Sequence, residues 1–330
     1  MDPFTIIFLI LAFIAILSKI NKRNSSSTTT TSSGSGSLAI QDEYHTIEEV
    51  QEALRKTGLE SCNLIIGIDY TKSNEEQGRQ TFNGRCLHHL SEGNDILNPY
   101  EKVVSIVGRT LEKFDDDKLI PTFGFGDETT RDVAVFPFRP NDQDRPCFGV
   151  DEVLKEYRRI TPYVRLSGPT NFAPIIDKAV EVVMEGGRGQ YHILVIIADG
   201  LVVNEKETEE AIVRASDYPL SIIMVGVGDG PFDLMEDYDD GLPQRKFDNF
   251  QFVHWDEIAR KARQNKASVD ATFALHALME IPQQYSAIKK LGLIGKKSPG
   301  FNPNVTNSIP QVNIRAPYAT MYPPQSNTFM

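Results

Sequence analysis

Asp69, Thr71 and Ser73 place one carboxylate and two hydroxyls close together, directly after an Ile-rich apolar run. Carboxylate and hydroxyl oxygens are ligands that suit a small hard cation such as Mg²⁺, which also keeps several of its waters. The same residues fit a buried strand that ends in an Asp and continues into a polar turn. This stretch by itself therefore leaves a metal site and a plain turn as alternatives.

A second acid, Asp199, ends residues 191–199, which form the strongest predicted strand of the chain. Ligands gather at the carboxyl ends of the strands in an open α/β sheet. Two buried parallel strands that each end in an Asp bring two carboxylates near one point of that edge. Such a pair is costly unless a cation lies between its members. Together, Asp69 and Asp199 therefore favour the metal site.

Thr170 offers a further hydroxyl, because it follows the turn-forming pair Gly168-Pro169 and precedes a predicted helix that runs to about Glu185. This hydroxyl could cap the helix or bind the same metal. Both roles hold together only if the loop folds beside Asp69. The neighbouring pair His88 and His89 also invites a metal assignment, but packing or a solvated loop is preferred because no further Cys or His lies at ligand spacing.

Strand and helix patterns alternate along the chain, which predicts an open α/β sheet that would position these side chains. The predicted strands are residues 63–69, 119–126, 131–138 (at a sheet edge), 191–199, 220–228 and 250–254. The predicted helices are residues 40–58, 98–114, 149–163, 171–185, 205–218, 232–238 and 256–279, the last of which ends before Pro282.

Composition narrows the range of functions. The chain has 330 residues, of which 40% are hydrophobic and 24% charged, and a net charge of −11. This acidic balance argues against nucleic acid as a partner, since phosphate binding needs clustered Lys and Arg. Only Cys62, Cys86 and Cys147 are present, without a Cys-x-x-Cys pair, which argues against a disulfide framework, a zinc finger or a RING. No phosphate-binding P-loop or dinucleotide fingerprint occurs.

The N-terminus carries an uncharged apolar run, residues 4–17, which approaches the length of a membrane-spanning helix when extended through Ile20. A cleaved signal peptide is the alternative, but the basic residues follow the run instead of preceding it, which favours a signal anchor with the remaining chain in the cytosol. The predicted division is an anchor at residues 1–23, a Ser/Thr/Gly-rich linker at 24–39, a folded domain at 40–292 and a disordered Pro/Asn-rich tail at 293–330.

Residues 63–292 resemble the copine-type von Willebrand A domain. The resemblance is carried by Asp-Tyr-Thr-Lys-Ser-Asn at 69–74, Asn-Pro-Tyr at 98–100, Phe-Gly-Phe-Gly at 123–126, Gly-Pro-Thr-Asn-Phe-Ala-Pro-Ile-Ile at 168–176, Ile-Ala-Asp-Gly at 197–200, Pro-Leu-Ser-Ile-Ile at 219–223 and Val-Gly-Val-Gly at 225–228. It implies a doubly wound, mostly parallel sheet flanked by helices.

The resemblance also implies a metal-ion-dependent adhesion site. Its ligand set would be Asp69, Thr71, Ser73, Thr170 and Asp199, with Thr71 where Ser is commoner. In such sites the hydroxyls bind the ion directly, the carboxylates act partly through water, and one position stays open for a carboxylate of a partner protein. Mg²⁺ is the expected ion, with Mn²⁺ or Ca²⁺ as alternatives.

Two kinds of relative share this domain. Copines carry paired C2 domains ahead of it, which nothing in this sequence encodes. The length and the segment 273–293 look more like the plant RING-domain ubiquitin ligases with a copine-type A domain, although the RING is lacking here.

Three functions follow as expectations. The first is a Mg²⁺-dependent module, tethered to the cytosolic face of a membrane, that binds a protein presenting Asp or Glu. The alternative is the substrate-binding part of a ubiquitin ligase, with ubiquitin-pathway partners and a RING that is missing or supplied by another chain. Metal-assisted hydrolysis is disfavoured because no general base lies beside the predicted ligands, so no catalytic residue is predicted.

Overall fold

The computed structural model describes residues 45–294, apart from residues 57, 92–95, 140–144, 188, 201 and 243–244. The strands of this part of the chain are β1 (Asn63–Asp69), β2 (Leu119–Ile120), β3 (Thr122–Phe125), β4 (Val135–Pro137), β5 (Cys147–Phe148), β6 (His192–Ala198), β7 (Leu220–Gly226) and β8 (Phe250–His254). The helices are α1 (Ile47–Lys56), α2 (Pro99–Leu111), α3 (Gly149–Ile160), α4 (Ala173–Glu185), α5 (Glu205–Ala215), α6 (Asp233–Gly241), α7 (Trp255–Gln264), α8 (Val269–Leu278) and α9 (Ile281–Lys290).

Six of these strands form one sheet in the order β4-β3-β1-β6-β7-β8. All neighbours in it are parallel except β3 and β4, which are antiparallel. β4 lies at the edge of the sheet, as its short alternating pattern predicted. Every residue of β6 and β7 is buried. A strand covered on both faces reads as a continuous apolar run, which is why these two gave the clearest sequence signal.

Helices cover both faces of the sheet, as a doubly wound fold requires. Alternate residues of the central strands point to opposite sides, because side chains of a strand alternate between its faces. Ile66 and Val195 join the core that contains residues of α1, α2, α3, α7, α8 and α9. Ile65 and Leu194 join the core that contains residues of α4, α5 and α6. The predicted fold class, a doubly wound and mostly parallel sheet flanked by helices, is confirmed.

Three element predictions were wrong in detail. Residues 256–279 do not form one helix, because Lys266 adopts a left-handed φ of 57° and the Ser268 side chain accepts a hydrogen bond from the backbone of Ala271 to begin α8. Pro282 does not end a helix but lies in the first turn of α9, where a missing N–H costs nothing. The predicted strand 119–126 divides into β2, which pairs with β5, and β3, which joins the main sheet.

The described residues contain no helix that is long and apolar enough to cross a bilayer. The predicted anchor at residues 1–23 and linker at 24–39 lie outside the described residues, as do residues 295–330 of the predicted tail.

Candidate metal centre

The first loop of the candidate site begins where β1 ends at Asp69. The Thr71 backbone N–H donates to Asp69 Oδ1 at 2.8 Å, and the Thr71 hydroxyl donates to Asp69 Oδ2 at 3.0 Å. Ser73 lies in a short 3₁₀ helix, Lys72–Glu75, and its Oγ is 3.0 Å from Thr71 Oγ1. The structure therefore gathers the carboxylate and both hydroxyls of this loop into one hydrogen-bonded group.

The second loop, which carries Thr170, is bound to the first through the backbone. The Lys72 N–H donates to the Ser167 carbonyl at 2.6 Å, and the Ser167 N–H donates to the Tyr70 carbonyl at 3.3 Å. The Thr170 carbonyl in turn accepts from the Val203 N–H at 3.1 Å, and Val203 belongs to the loop that follows β6. Thr170 thus lies on a segment held between the loops of the two acids.

The third loop starts with Asp199, immediately after β6. Ile68 of β1 is aligned with Ile197 of β6, so the two acids leave adjacent parallel strands at the same edge. Both are completely buried, and the Asp199 N–H donates to the Asp69 carboxylate. The loops of all five predicted residues therefore meet at one rim of the sheet, although they come from distant parts of the chain.

Ionisation of both Asp69 and Asp199 at this rim is electrostatically unfavourable. Burial raises the pKa of Asp69 well above its usual range, and the charge of Asp199 raises this pKa further, while the hydrogen bonds from Thr71 act in the opposite direction. A divalent cation would relieve both the desolvation and the repulsion. Two acids and three neutral hydroxyls form a hard-oxygen donor set that fits Mg²⁺ or a similar ion. The role of these five residues as ligands stays a prediction.

A glycine of the neighbouring strand end lets the first loop pack closely. Gly126, directly after β3, has a left-handed φ of +82°, and a Cβ added there would lie 2.4 Å from Thr71 Cγ2 and 3.2 Å from Asp69 Oδ1. An Ala at this position would displace Thr71 or the carboxylate. The last glycine of the Phe-Gly-Phe-Gly motif thus has a physical reason, which is space for the loop of Asp69 and Thr71.

The two roles considered for Thr170 can now be separated. Helix α4 begins after Phe172, and the Asn171 side chain, not that of Thr170, accepts a hydrogen bond from the Ala173 N–H at 3.0 Å. The predicted N-cap role of Thr170 was therefore wrong. Thr170 is nevertheless buried, which leaves its hydroxyl for a role at the rim.

Among the two adjacent histidines, His88 is buried and packs between aromatic rings, as the packing interpretation predicted, whereas His89 is exposed. Sequence reasoning missed that His88 contacts the Asp69 backbone. It also missed Asn74 and Tyr100, which hold the same loop from within the core. In the part of the chain that the structure describes, no group of three or more His, Cys, Asp or Glu residues could hold a metal.

The sheet order, the two helical layers and the three loops at the carboxyl edge define a von Willebrand A-type domain. The copine family model matches residues 86–297. The chain belongs to the copine family.

Similar proteins come from plants and animals. The chain is 51% identical over 278 residues to E3 ubiquitin-protein ligase RGLG2 of Arabidopsis thaliana, covering 80% of this chain and 57% of that protein. It is 50% identical over 264 residues to RGLG3 of the same plant, covering 76% of this chain and 70% of the relative. It is also 51% identical over 252 residues to Copine family protein 2 of Caenorhabditis elegans, covering 76% of this chain and 3% of that protein. The chain thus spans 57% of the length of RGLG2 and 61% of RGLG5.

Two solved structures are similar at low sequence identity. Manganese-loaded Plasmodium vivax TRAP protein has a TM-score of 0.40 and 11% identity, covering 63% of this chain and 74% of that one. Proximal thread matrix protein 1 from the mussel byssus has a TM-score of 0.41 and 11% identity, covering 68% of this chain and 48% of that one.

Proposed function

We propose that this chain is a divalent-cation-dependent protein-binding module. Asp69, Thr71, Ser73, Thr170 and Asp199 would hold the ion, with Mg²⁺ as the expected species. The observation that carries the proposal is the pair of completely buried acids at the ends of adjacent strands, surrounded by loops that bear hydroxyls. The bound ion would supply a Lewis-acidic position for a carboxylate of the partner protein.

The surface around the rim supports a protein partner. Val203 is 64% exposed and Val133 is 42% exposed. The loops of these two valines are tied together, since the Asn171 side chain donates to the Asp132 carbonyl at 3.0 Å and the Val203 N–H donates to the Thr170 carbonyl. An apolar contact beside a charged anchor is typical of the centre of a protein interface.

The direct test is titration of the purified domain with MnCl₂ and MgCl₂ by calorimetry. Wild-type protein is expected to bind one ion, whereas Asp69→Ala and Ser73→Ala lose binding with little loss of fold. Ser221→Ala is the matched control, because Ser221 is a buried hydroxyl of β7 that accepts a hydrogen bond from Tyr191. Once a partner is known, its capture should require the cation. Equal capture in EDTA and in Mg²⁺ would contradict the proposal.

The ubiquitin ligases among the relatives favour a second candidate function. In it, this domain selects substrates for ubiquitination, and a RING on another chain or segment supplies the ligase activity. The test incubates the purified 330-residue chain with ubiquitin-activating and ubiquitin-conjugating enzymes. We expect no ubiquitin transfer by this chain alone, and a clear autoubiquitination signal would reverse the preference for a binding module.

Membrane tethering is a further part of the proposal. It is supported by the apolar residues 4–17 and the basic residues Lys19, Lys22 and Arg23 that follow them. A tether would raise the local concentration of the domain near membrane partners. Deletion of residues 1–23 is expected to move the protein from the membrane fraction to the soluble fraction. A deletion variant that stays with the membrane would show that the anchor is assigned wrongly.

A further inference from the structure

His88 lies directly beneath residues 69–76, which we call the metal loop because they include Asp69, Thr71 and Ser73 of the proposed site. It is buried and stacked between Tyr70 and Tyr100, with ring-centroid distances of 4.5 Å and 4.2 Å and interplanar angles of 10° and 15°. Its Nε2 is 2.7 Å from the Asp69 carbonyl oxygen, and its Nδ1 is 2.8 Å from the Tyr157 hydroxyl. Both ring nitrogens therefore have partners, and one of these partners is the backbone of the first acid.

The chemistry of these partners fixes the tautomer of His88. A carbonyl oxygen can only accept, so Nε2 must carry the proton and donate to Asp69. Nδ1 then accepts from the Tyr157 hydroxyl, which itself accepts from the Asn98 side chain at 3.0 Å. The stacked tyrosine rings and these two hydrogen bonds together fix the orientation of the imidazole.

The same chain of hydrogen bonds continues into two helices. Asn98 begins α2 through a capping box with Glu101. Glu101, which is buried, forms an ion pair with Arg158 of α3. The Asp69 carbonyl is thereby connected through His88 to the start of α2 and to α3, which are rigid parts of the core.

A second contact from the same helix holds the next part of the loop. The Tyr100 hydroxyl donates to Asn74 Oδ1 at 2.6 Å, and Asn74 Nδ2 donates to the Thr71 carbonyl at 3.1 Å. The Asn74 carbonyl also accepts from the Leu87 N–H at 3.0 Å. The carbonyls of residues 69 and 71 are thus each fixed by a buried side chain, and these two residues carry the carboxylate and the first hydroxyl of the candidate site.

We propose that His88 and Tyr100 are positioning residues of the metal loop. They fix the backbone on which the Asp69 carboxylate and the Thr71 hydroxyl are presented, so the loop is ordered before a cation arrives. The inference rests on the proposed function for its metal-binding consequence, but the order of the loop can be measured without any metal.

The chain provides matched controls for both residues. His192 is a second buried histidine, and Tyr191 is a buried tyrosine whose hydroxyl donates to Ser221. Both lie at the start of β6, at the opposite end of the sheet from the rim. The test compares His88→Leu with His192→Leu, and Tyr100→Phe with Tyr191→Phe.

The first measurement is Mn²⁺ affinity, from calorimetry and from the electron paramagnetic resonance signal of free Mn²⁺. Loss of a side chain that orients a metal-binding group costs about tenfold or more in affinity, and we expect about tenfold weaker binding for His88→Leu. Tyr100→Phe should show a smaller loss in the same direction. His88→Gln should restore part of the affinity, because its amide N–H can replace the Nε2 donor. The two controls should bind as the wild type does.

The second measurement is backbone hydrogen exchange of residues 69–76 in metal-free protein. Exchange should become faster in His88→Leu and Tyr100→Phe and stay unchanged in the controls, since exchange reports local opening. If wild-type protein binds no Mn²⁺, the proposed function fails and the exchange data alone decide the positioning role.

If His88→Leu and Tyr100→Phe match the wild type in both Mn²⁺ affinity and backbone hydrogen exchange, the positioning role is refuted, whereas the proposed metal site is not. Should His88→Leu fail to fold, Tyr100→Phe, which removes a single oxygen atom, decides the outcome by itself.

Discussion

Replacement of Asp199 by Asn tests why two buried acids share one rim. Asn has nearly the shape of Asp and keeps one carbonyl oxygen, but it removes the negative charge beside Asp69. Most substitutions at buried positions destabilise a protein. Here we expect Asp199→Asn to stabilise the metal-free protein and, at the same time, to abolish the stabilisation by Mg²⁺ that the proposed site would give the wild type.

The magnitude follows from the register of the sheet. Ile68 is aligned with Ile197, so Asp199 lies one residue beyond the position opposite Asp69. With a strand spacing of about 4.8 Å and a rise of about 3.3 Å per residue, we take the two acids to be roughly 6 Å apart. Two like charges at that separation repel by about 3 kcal/mol at an effective dielectric constant of about 20. Partial protonation and the hydrogen bonds that Asp69 accepts reduce this cost, so the expected gain is about 1–2 kcal/mol.

Thermal unfolding in EDTA and in excess MgCl₂ measures both effects. For a domain of this size, about 1 kcal/mol corresponds to roughly 2–4 °C, so Asp199→Asn should unfold a few degrees above the wild type in EDTA. Mg²⁺ at about 100 times its dissociation constant would stabilise the wild type by about 2.7 kcal/mol and should leave the variant unchanged. Asp177→Asn is the control, because Asp177 faces the cationic Arg214 instead of a second acid, and this variant should keep the full response to Mg²⁺. An Asp199→Asn protein that is less stable in EDTA and keeps the full response to Mg²⁺ would refute this reasoning.

Two further predictions concern the surface and pH. Val203→Asp is expected to weaken cation-dependent partner binding in a pull-down about tenfold or more, because it places a charge at the proposed interface. Phe148→Asp, at a similarly exposed position on β5, should not weaken it. Equal effects of the two substitutions would exclude Val203 from the interface. Burial raises the pKa of Glu280 to about 7, so ionisation of this carboxyl destabilises the folded protein. The loss of stability begins as the pH rises above the pKa of the unfolded state, and it reaches its full size above about pH 7. The groups around Glu280 are Asp239, Asp248, Gln284 and Arg245. Glu280→Gln should therefore raise the free energy of unfolding at pH 8 by about 1 kcal/mol, after allowance for partial exposure, but not at pH 4.5. Thermal unfolding at the two pH values measures this difference, and a gain that is independent of pH would rule out ionisation as its cause.

The parts of the fold that sequence reasoning predicted are those with a continuous or periodic apolar signal. β6 and β7 are buried on both faces and read as unbroken apolar runs. The edge position of β4 was predicted because half-buried strands alternate, whereas its antiparallel direction was not predicted. The break near Lys266 escaped prediction, because no Gly or Pro separates α7 from α8 and the boundary is marked only by the left-handed Lys266 and the Ser268 cap.

The residues of the candidate site also differ in how far the sequence alone could predict them. Asp69 and Asp199 could be paired from sequence because each follows a buried strand, and parallel strands end at the same edge of a sheet. Thr170 needed the family resemblance, because a Thr ahead of a helix is equally consistent with a cap. His88 had no usable signal, since it lies in an irregular segment and meets Asp69 only through tertiary packing.

The charge of the proposed ligand set explains why it suits recognition of a carboxylate. Two acids balance one divalent cation, and the remaining donors, Thr71, Ser73 and Thr170, are neutral. The ion would therefore keep enough electrophilic character to attract one more carboxylate, which a site built from four or five acids would repel. The same composition explains why no cluster of His, Cys, Asp or Glu marks the site in the described part of the chain. A hydroxyl-rich donor set is thus the feature that makes the site hard to detect and, in the proposed function, the feature that leaves room for the partner.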